Sequence, residues 1–494
     1  MKKVLLFLVD SMMPDVLEQC VAENKAPAFQ YMMEHGQYIN DCATVFPTMT
    51  ASIDCSLITG VYPDQHTVPG LVWYEPDTKK IINYINGAMP VAKIGIAHCA
   101  QNVLYDLNEK HLSRYVKTIH EVLEEQGFVS GSINVIAHRG HKKHTLQLPL
   151  ALQAVTGGQM PRKVSGPSIF SMGTMAVPNI FRPIPWGMGH TSLGSYGIND
   201  AYAIDVLIEV VTSGKQPDFT LVYLPDNDHK LHRSPMKATE HLAAVDQQIA
   251  RFLNTFQSWE KALEENVFIF ISDHGQTTIG LDDSHNIELE KLLASFRLHK
   301  LGEEIKKEDE IVICNNERMT YLYPMYDGLT PKIVAAVTGE PRIDLIAWKE
   351  NGWVHVQNGG RGHNTLKYRK GGGQSDCYGM QWTIEGDLKV LDLQLDSQGN
   401  IFFDSYPDAL SRLHGALFAR NDEVVIITAA PAYEFYSEYA PTHLGGGSHG
   451  SLHKRDSLVP LIVAGAKHVM KRPARLVDVK DFILQELAVQ AVPV

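Results

Sequence analysis

The stretch NVFIFISDHG, residues 266–275, decides the fold class. Residues 267–271 are all apolar, and a short continuous apolar run is typical of a strand that is buried on both faces of a parallel sheet. The run is followed at once by Ser-Asp-His-Gly. Because ligands of parallel sheets bind beyond the carboxyl ends of the strands, the position of Asp273 and His274 indicates a functional site.

Similar apolar runs recur along the chain, with amphipathic helical patterns between them. We predict further strands at 3–10, 92–98, 218–224 and 458–465, with one more at 423–428. The spacing of apolar residues predicts helices within 115–127, 236–259 and 478–490. Strands that alternate with helices predict an α/β fold with a mostly parallel sheet flanked by helices.

Two regions do not follow this alternation. Residues 135–200 are rich in His, Gly, Pro and Met, and residues 285–440 contain glycine-rich stretches. We therefore predict a core over residues 1–284 with an insertion at about 135–200, an inserted cap or substrate region at 285–440, and a return to the core at 441–494. We expect the insertions to shape the substrate pocket.

The composition excludes several classes of protein. A net charge of −12 over 494 residues argues against a nucleic-acid polymer as partner, which would require a basic face. The six cysteines form no CxxC pair, so a reducing compartment is expected. The apolar run near the N-terminus stops at Asp10, too early for a signal peptide, and no run of about 20 apolar residues predicts a membrane span. We expect a cytoplasmic protein without a membrane partner; the oligomeric state stays open.

Acidic and histidine side chains cluster at the predicted strand ends. Asp10 ends the strand at 3–10, and three further segments supply such groups. Asp226, Asp228, His229 and His232 follow the strand at 218–224, and Asp273 and His274 follow the run at 267–271. His449 and His453 precede the strand at 458–465. Asp228 and His232 are four residues apart, a spacing that places both on one side of a helix. Asp and His suit zinc or manganese, and this number of ligands is enough for two metals that share a phosphoryl group.

In the stretch TVFPTMTASIDCSLITGVYPDQH, residues 44–66, two threonines that are two positions apart, Thr48 and Thr50, stand directly before a helical run. Thr48 or Thr50 would be a helix cap on one interpretation, since threonine hydroxyls accept backbone N–H bonds at a helix start. On the other, one hydroxyl is a nucleophile held where the helix N-terminus favours an anion. The stretch alone leaves both open.

Taken together, these motifs resemble the alkaline phosphatase superfamily, in its type I phosphodiesterase/nucleotide pyrophosphatase branch. The resemblance covers most of the chain outside the insertions. It is carried by Val9-Asp10, Pro47-Thr48-Met49-Thr50, Thr59-Gly60-Val61-Tyr62-Pro63, His66, Ser272-Asp273-His274-Gly275 and His449-Gly450. It implies an alkaline phosphatase-like core that carries inserted cap segments.

The resemblance also implies roles for individual residues. Thr50 would be the catalytic nucleophile, and Thr48 would be structural. One metal would be held by Asp10, Thr50, Asp273 and His274, and the other by Asp228, His232 and His449. The implied enzyme is a metallohydrolase that cleaves phosphate esters, with phosphodiester or pyrophosphate bonds favoured. Two divalent metal ions, zinc or alternatively manganese, and a small phosphorylated, nucleotide-like substrate are implied.

Two departures from the family pattern leave the substrate open. Residues 51–54 read Ala-Ser-Ile-Asp where the family has Phe-Pro-Asn-His, and Leu71 stands where it has a phosphate-binding asparagine. Asn199 is a candidate substitute, with a turn or cap role as the alternative. A phosphomonoesterase, a phosphonate hydrolase or a non-catalytic metal-binding or ligand-binding homologue therefore remain alternatives. A mutase would be expected to use a serine nucleophile, so Thr50 weighs against that activity. A sulfatase is disfavoured because Cys55 does not lie in a Cys-x-Pro-x-Arg sequence.

Overall fold

A computed structural model describes residues 1–158, 160–178, 197–360 and 364–489. The predicted insertion at 135–200, the cap region at 285–440 and the C-terminal return each include residues outside this description, namely 159, 179–196, 361–363 and 490–494. In the described part of the chain, no helix combines the length and the apolarity that crossing a membrane requires.

The strands of two large sheets follow one another along the chain. They are β1 (Lys3–Val9), β2 (Gly36–Ala43), β3 (Ser130–Ile133), β4 (Ile169–Ser171), β5 (Phe219–Leu224), β6 (Asn266–Ile271), β7 (Ile311–Asn316), β8 (Met319–Pro324), β9 (Ile343–Glu350), β10 (Trp353–Asn358), β11 (Thr365–Ser375), β12 (Gln381–Gly386), β13 (Val425–Ala429) and β14 (Leu458–Ala464). Short two-stranded pairs join Val72–Glu75 with Lys80–Asn83, Lys142–Thr145 with Lys163–Gly166, Thr277–Thr278 with Gly447–Ser448, Asn286–Glu288 with Glu434–Tyr436, and Leu393–Leu395 with Ile401–Phe403.

The main sheet has the order β2-β14-β6-β1-β5-β3-β4 among the described strands. The neighbours from β6 to β4 are all parallel, and this confirms the predicted mostly parallel sheet. The prediction for 458–465 was wrong in one respect, because β14 runs antiparallel to both β6 and β2. An apolar run shows that a strand is buried but carries no information on its direction.

Apolar side chains cover both faces of the main sheet. Along β1, Val4, Leu6 and Leu8 enter one core cluster, while the alternate residues enter another on the opposite face. This alternation follows from the two-residue repeat of a strand. Burial on both faces explains why the strand sequences are continuously apolar, as predicted. The α/β fold class is confirmed.

The helices pack around these sheets. They are α1 (Pro14–Ala22), α2 (Pro27–Glu34), α3 (Thr50–Thr59), α4 (Pro63–His66), α5 (Ala88–Ile94), α6 (Ile96–Gln101), α7 (Ile119–Glu125), α8 (Leu150–Val155), α9 (Asp200–Thr212), α10 (Asp226–Leu231), α11 (Ala238–Leu253), α12 (Trp259–Glu265), α13 (Leu289–Leu292), α14 (Thr330–Val337), α15 (Ala409–Leu417), α16 (Lys454–Ser457) and α17 (Val479–Glu486). A π-helix spans Asn102–His111, and 3₁₀ turns lie at Pro235–Lys237, Asp283–His285, Leu388–Leu391 and Leu476–Asp478.

The strand predicted at 92–98 was wrong. This segment forms the end of α5 and the start of α6, which Gly95 separates with a positive φ of 117°. A short apolar run fits a strand and a helical segment equally well, so that only tertiary packing decides between them.

The second sheet is antiparallel, with the order β7-β8-β13-β9-β10-β11-β12. All its strands lie between residues 311 and 429, within the predicted cap region. The strand predicted at 423–428 belongs to this sheet, as β13. By contrast, β4 lies inside the predicted insertion at 135–200 but pairs with β3 in the main sheet, so that this insertion is not wholly separate from the core.

Candidate active site

Three adjacent parallel strands of the main sheet deliver acidic residues to one edge. Asp10 directly follows β1, Asp228 lies in α10 just after β5, and Asp273 lies two residues after β6. Because β1 pairs with both β5 and β6 in parallel, their carboxyl ends meet. The sheet register therefore places these predicted carboxylates beside one another.

Asp10, Asp273 and His274 form the first group with the geometry of a metal site, since their ligand atoms lie within 4.8 Å of one another. His274 Nε2 is 3.6 Å from Asp10 Oδ1 and 3.3 Å from Asp273 Oδ2. All three side chains are buried, and Asp10 Oδ1 and His274 Nε2 have no hydrogen-bond partner among the described residues. Buried polar atoms are nearly always paired, so these two atoms fit a divalent ion.

Thr50 lies beside this group. Its hydroxyl donates to Asp273 Oδ2 at 3.3 Å. The helix cap of α3 is Met49, which makes no side-chain capping bond. The capping interpretation is therefore wrong for both threonines, because Thr48 also bonds elsewhere: its hydroxyl donates to the Ser451 carbonyl and accepts from the N–H of Gly450.

Asp228 is the centre of a second group. Asp228, His274 and His449 have ligand atoms within 4.8 Å of one another. His232 Nε2 lies 3.3 Å from Asp228 Oδ2, whereas His449 Nε2 lies 3.9 Å from Oδ1. Both histidines that the resemblance pairs with Asp228 thus approach it, on different oxygens. His274 contributes to both groups.

Burial and neighbouring charges shift the pKa values of two carboxyl groups of the site in opposite directions. Burial, together with the carboxylates of Asp228 and Asp273, raises the pKa of Asp10 well above its ordinary value. Burial also opposes the charge on Asp228, but the imidazoles of His232, His449 and His274 together outweigh it and hold the pKa of Asp228 well below the usual range. Several carboxylates packed this closely require positive charge, which a divalent cation supplies.

Three polar residues that hold these carboxylates in place were not predicted from the sequence. The Ser11 hydroxyl donates to Asp228 Oδ1 at 2.8 Å, its N–H donates to Asp273 Oδ1 at 3.2 Å, and its φ is 56°. Tyr223 donates its hydroxyl to Asp10 Oδ2, and Gln276 Nε2 donates to Asp228 Oδ1 at 2.6 Å. The position of Ser11 directly after Asp10 was a usable signal. A non-glycine residue at positive φ in a buried turn is strained, which is common at functional sites.

A third group lies next to Asp228 and was also missed. It comprises His232, Glu317 and His443, whose ligand atoms lie within 4.8 Å of one another. Glu317 is at the tip of the hairpin between β7 and β8, so that the second sheet reaches the edge of the main sheet that carries the candidate metal ligands. No strand-end motif marks Glu317 or His443 in the sequence.

Other candidates lie outside these groups. The N–H of Asp226 bonds Asp200, and His453 caps α16. His66 is buried against Ser56, at 2.9 Å. Asn199 caps α9 by accepting from the N–H of Tyr202, which is the cap role considered above.

An apolar cavity of about 850 Å³ opens beside the metal groups. Its walls include Tyr223, whose hydroxyl donates to Asp10, and His229, which follows Asp228 in the sequence. The remaining lining is mostly aliphatic and comes from helices α5, α6 and α8, the π-helix and the segments that follow β3 and β4. The cavity therefore adjoins the carboxyl edge of the same sheet.

The model of the type I phosphodiesterase/nucleotide pyrophosphatase family matches residues 4–452. The chain belongs to this family. It is therefore a hydrolase of the phosphodiesterase and pyrophosphatase class. A comparison with curated proteins found no match.

Solved structures agree with this assignment in their fold. Murine ectonucleotide pyrophosphatase/phosphodiesterase 5, as an inactive variant in complex with AMP, has a TM-score of 0.58 at 15% identity, with 100% of this chain and 96% of that chain covered. The human protein gives the same values. Phosphonoacetate hydrolase from Sinorhizobium meliloti 1021, in complex with phosphonoformate, has a TM-score of 0.57 at 14% identity, with 98% and 96% covered.

Proposed function

We propose that the chain hydrolyses phosphodiester or pyrophosphate bonds of a small phosphorylated substrate, with Thr50 as nucleophile and two divalent ions as cofactors. Zinc suits the His and Asp ligands best, and manganese is the alternative. The observation that carries the proposal is the Thr50 hydroxyl, which makes no cap and instead donates to Asp273 Oδ2 beside the first metal group.

The ligands fall into two neighbouring positions. Asp10, Thr50, Asp273 and His274 would hold one ion, and Asp228, His232 and His449 the other. Bound there, the ions would supply positive charge that favours the alkoxide of Thr50 and offsets charge on the phosphoryl oxygens. The buried, unpaired atoms of Asp10 and His274 support the first position.

The residues themselves then account for a two-step reaction. The Thr50 oxygen attacks phosphorus in line with the leaving oxygen, and Asp273 Oδ2 is placed to accept the hydroxyl proton. The bond to the leaving oxygen breaks, and that oxygen takes up a proton. Water then cleaves the phosphothreonine and restores the hydroxyl. Backbone N–H groups at the start of α3 lie behind Thr50 and favour the phosphoryl anion.

The environment of Leu71 bears on the substrate. Its side chain packs against the apolar core, and its backbone N–H donates to Asn316 Oδ1 at 3.0 Å. Leucine has no side-chain donor to phosphate, and the Asn199 side-chain oxygen is engaged in capping α9. A phosphonate ester or a phosphomonoester is therefore the second candidate substrate.

The apolar cavity suits the organic part of the substrate. Its lining offers aliphatic side chains and few polar groups, whereas a nucleobase would require donors and acceptors for its edge. Residues after β3 and β4, within the insertion at 135–200, contribute to its walls. We propose an apolar chain as the group that the cavity receives.

The test compares the wild-type chain with Thr50→Ala and with Thr50→Ser as the matched control. Each is assayed with zinc or manganese on a bis-aryl phosphate, an aryl phosphonate ester and an aryl monophosphate, after its metal content is measured. We expect Thr50→Ala to lose turnover by at least about 10³-fold, while Thr50→Ser retains part of it and the fold is unchanged. Wild-type rates for Thr50→Ala would refute the nucleophile, and a preference for the monoester would move the function to a phosphatase.

A further inference from the structure

His232, Glu317 and His443 come from three separate parts of the chain. His232 follows α10, Glu317 is the hairpin tip between β7 and β8, and His443 lies in the loop after the strand Glu434–Tyr436. Only His232 belongs to the ligand set that the family resemblance implies. The three side chains are largely buried, with exposures of 17%, 7% and 12%.

Both histidines are oriented by hydrogen bonds on Nδ1. His232 Nδ1 donates to the Gly447 carbonyl at 2.8 Å, and His443 Nδ1 donates to Glu434 Oε2 at 2.9 Å. A carbonyl or carboxylate oxygen can only accept, so that Nδ1 carries a proton in each ring and Nε2 is the nitrogen that would bind a metal ion once deprotonated. Support of an imidazole by a buried carboxylate or a carbonyl is the usual arrangement behind a metal-ligating histidine.

Glu317 is held in place independently. Its Oε2 accepts from the Ser448 hydroxyl at 3.0 Å and from the N–H of His449 at 3.3 Å. Its φ of 61° is in the left-handed region, which costs backbone free energy. The hydrogen bonds found among the described residues do not join Glu317, His232 and His443 to one another, although their ligand atoms converge.

We infer that His232, Glu317 and His443 form a third position for a transition-metal ion of the zinc type. Two histidines and one glutamate make a ligand set that zinc uses in proteins. The inference deepens the proposed function. It also rests on that function, because it takes His232 as a ligand of the second position. Since Nδ1 of His232 is occupied by Gly447, its single free nitrogen serves one ion at a time.

The zinc content of the 494-residue chain tests this inference without any turnover. Equilibrium dialysis at graded free zinc, followed by elemental analysis, is applied to the variant Asp228→Asn/His449→Gln, which spares the three proposed ligands. We expect this variant to bind about two zinc ions per chain. Adding Glu317→Gln and His443→Gln should reduce the content to about one. The inference would be overturned if the variant Asp228→Asn/His449→Gln itself bound only about one zinc ion per chain.

A second comparison covers the case in which the first variant fails to fold. In the otherwise wild-type chain, Glu317→Gln/His443→Gln should lower the zinc affinity of the weakest-binding site at least tenfold. The control pair His35→Gln/Glu303→Gln, both exposed and remote from the site, should leave it unchanged. Equal zinc binding by both pairs would overturn the inference. Failure of the proposed function would appear separately, as an inactive wild-type chain with its zinc content intact.

Discussion

Replacing Arg318 by methionine should destabilise the fold strongly, because it breaks an ion pair that is fully buried. Arg318 Nη1 lies 2.5 Å from both carboxylate oxygens of Asp456, and both side chains are 0% exposed. The same guanidinium donates to Thr277 Oγ1 at 2.8 Å and to the carbonyls of Tyr433 and Ala429. Methionine keeps much of the volume but leaves Asp456 charged and without its partner.

The magnitude follows from what is left unpaired. Removing one partner of a buried ion pair costs about 3–5 kcal/mol, because the other charge stays desolvated. Asp456 keeps the Thr277 hydroxyl and the N–H of Ser451, which partly compensates. We therefore expect a loss of about 3–4 kcal/mol in the free energy of unfolding. The double variant Arg318→Met/Asp456→Asn removes the orphaned charge and should recover about half of this loss.

Urea denaturation, followed by tryptophan fluorescence and by far-UV circular dichroism, measures these differences. Arg472→Met is the matched control, since Arg472 pairs with Asp41 at 2.6 Å where both side chains are about half exposed. An exposed pair contributes about 0–1 kcal/mol, so this control should change little. If Arg318→Met cost no more than Arg472→Met, or if the double variant were as unstable as the single one, the argument from the buried charge would fail.

Two further predictions concern the cavity and a buried carboxyl. Ile96 lines the cavity and is 47% exposed, so the variant Ile96→Glu should still fold. Its KM for a long-chain alkyl phosphodiester should rise about tenfold, the equivalent of roughly two buried methylenes, while its KM for the methyl ester stays unchanged. Met236→Glu, remote and exposed, is the control, and equal KM values for the wild type and both variants would exclude the cavity from substrate binding. Burial raises the pKa of Asp246 to about 6, although the N–H groups of Phe29 and Ala28 oppose this shift. Between pH 4 and 6 the folded chain therefore holds a proton that the unfolded chain has lost, and stability should fall by up to about 3 kcal/mol as the pH rises through this window. Asp246→Asn should abolish that fall, and identical pH profiles of thermal stability in the two proteins would contradict the assignment.

Part of the site could be predicted because strand ends are marked locally. An apolar run followed by Asp or His predicts a buried strand and also the edge of the sheet at which these polar side chains meet. Asp10, Asp228 and Asp273 lie at that edge. The same local signal fails for strand direction, as in β14, and for the helical segment at 92–98. Neither feature is encoded within the few residues of the run.

Glu317 shows why the rest could not be predicted. It sits in a hairpin tip of the second sheet, in a sequence context without any strand-end motif. Its Oε2 accepts from the N–H of His449, 132 positions away, and its neighbour Arg318 pairs with Asp456, 138 positions away. The conformation of Ser11 likewise results from packing between the ends of β1 and β6. Tertiary contacts of this kind leave no periodic pattern in the sequence.

The hairpin tip at Glu317 and Arg318 also limits how freely this chain can be recombined. The second sheet would otherwise be a natural module to exchange between homologues in order to alter their substrate range. Here, however, its tip is joined to the core by a hydrogen bond from the N–H of Arg318 to the His449 carbonyl. A chimaera that takes the sheet from one parent and the segment around Asp456 from another would lose matched partners at the edge where the candidate site lies. Exchange should succeed only when residues 317–318 and 448–456 are inherited together.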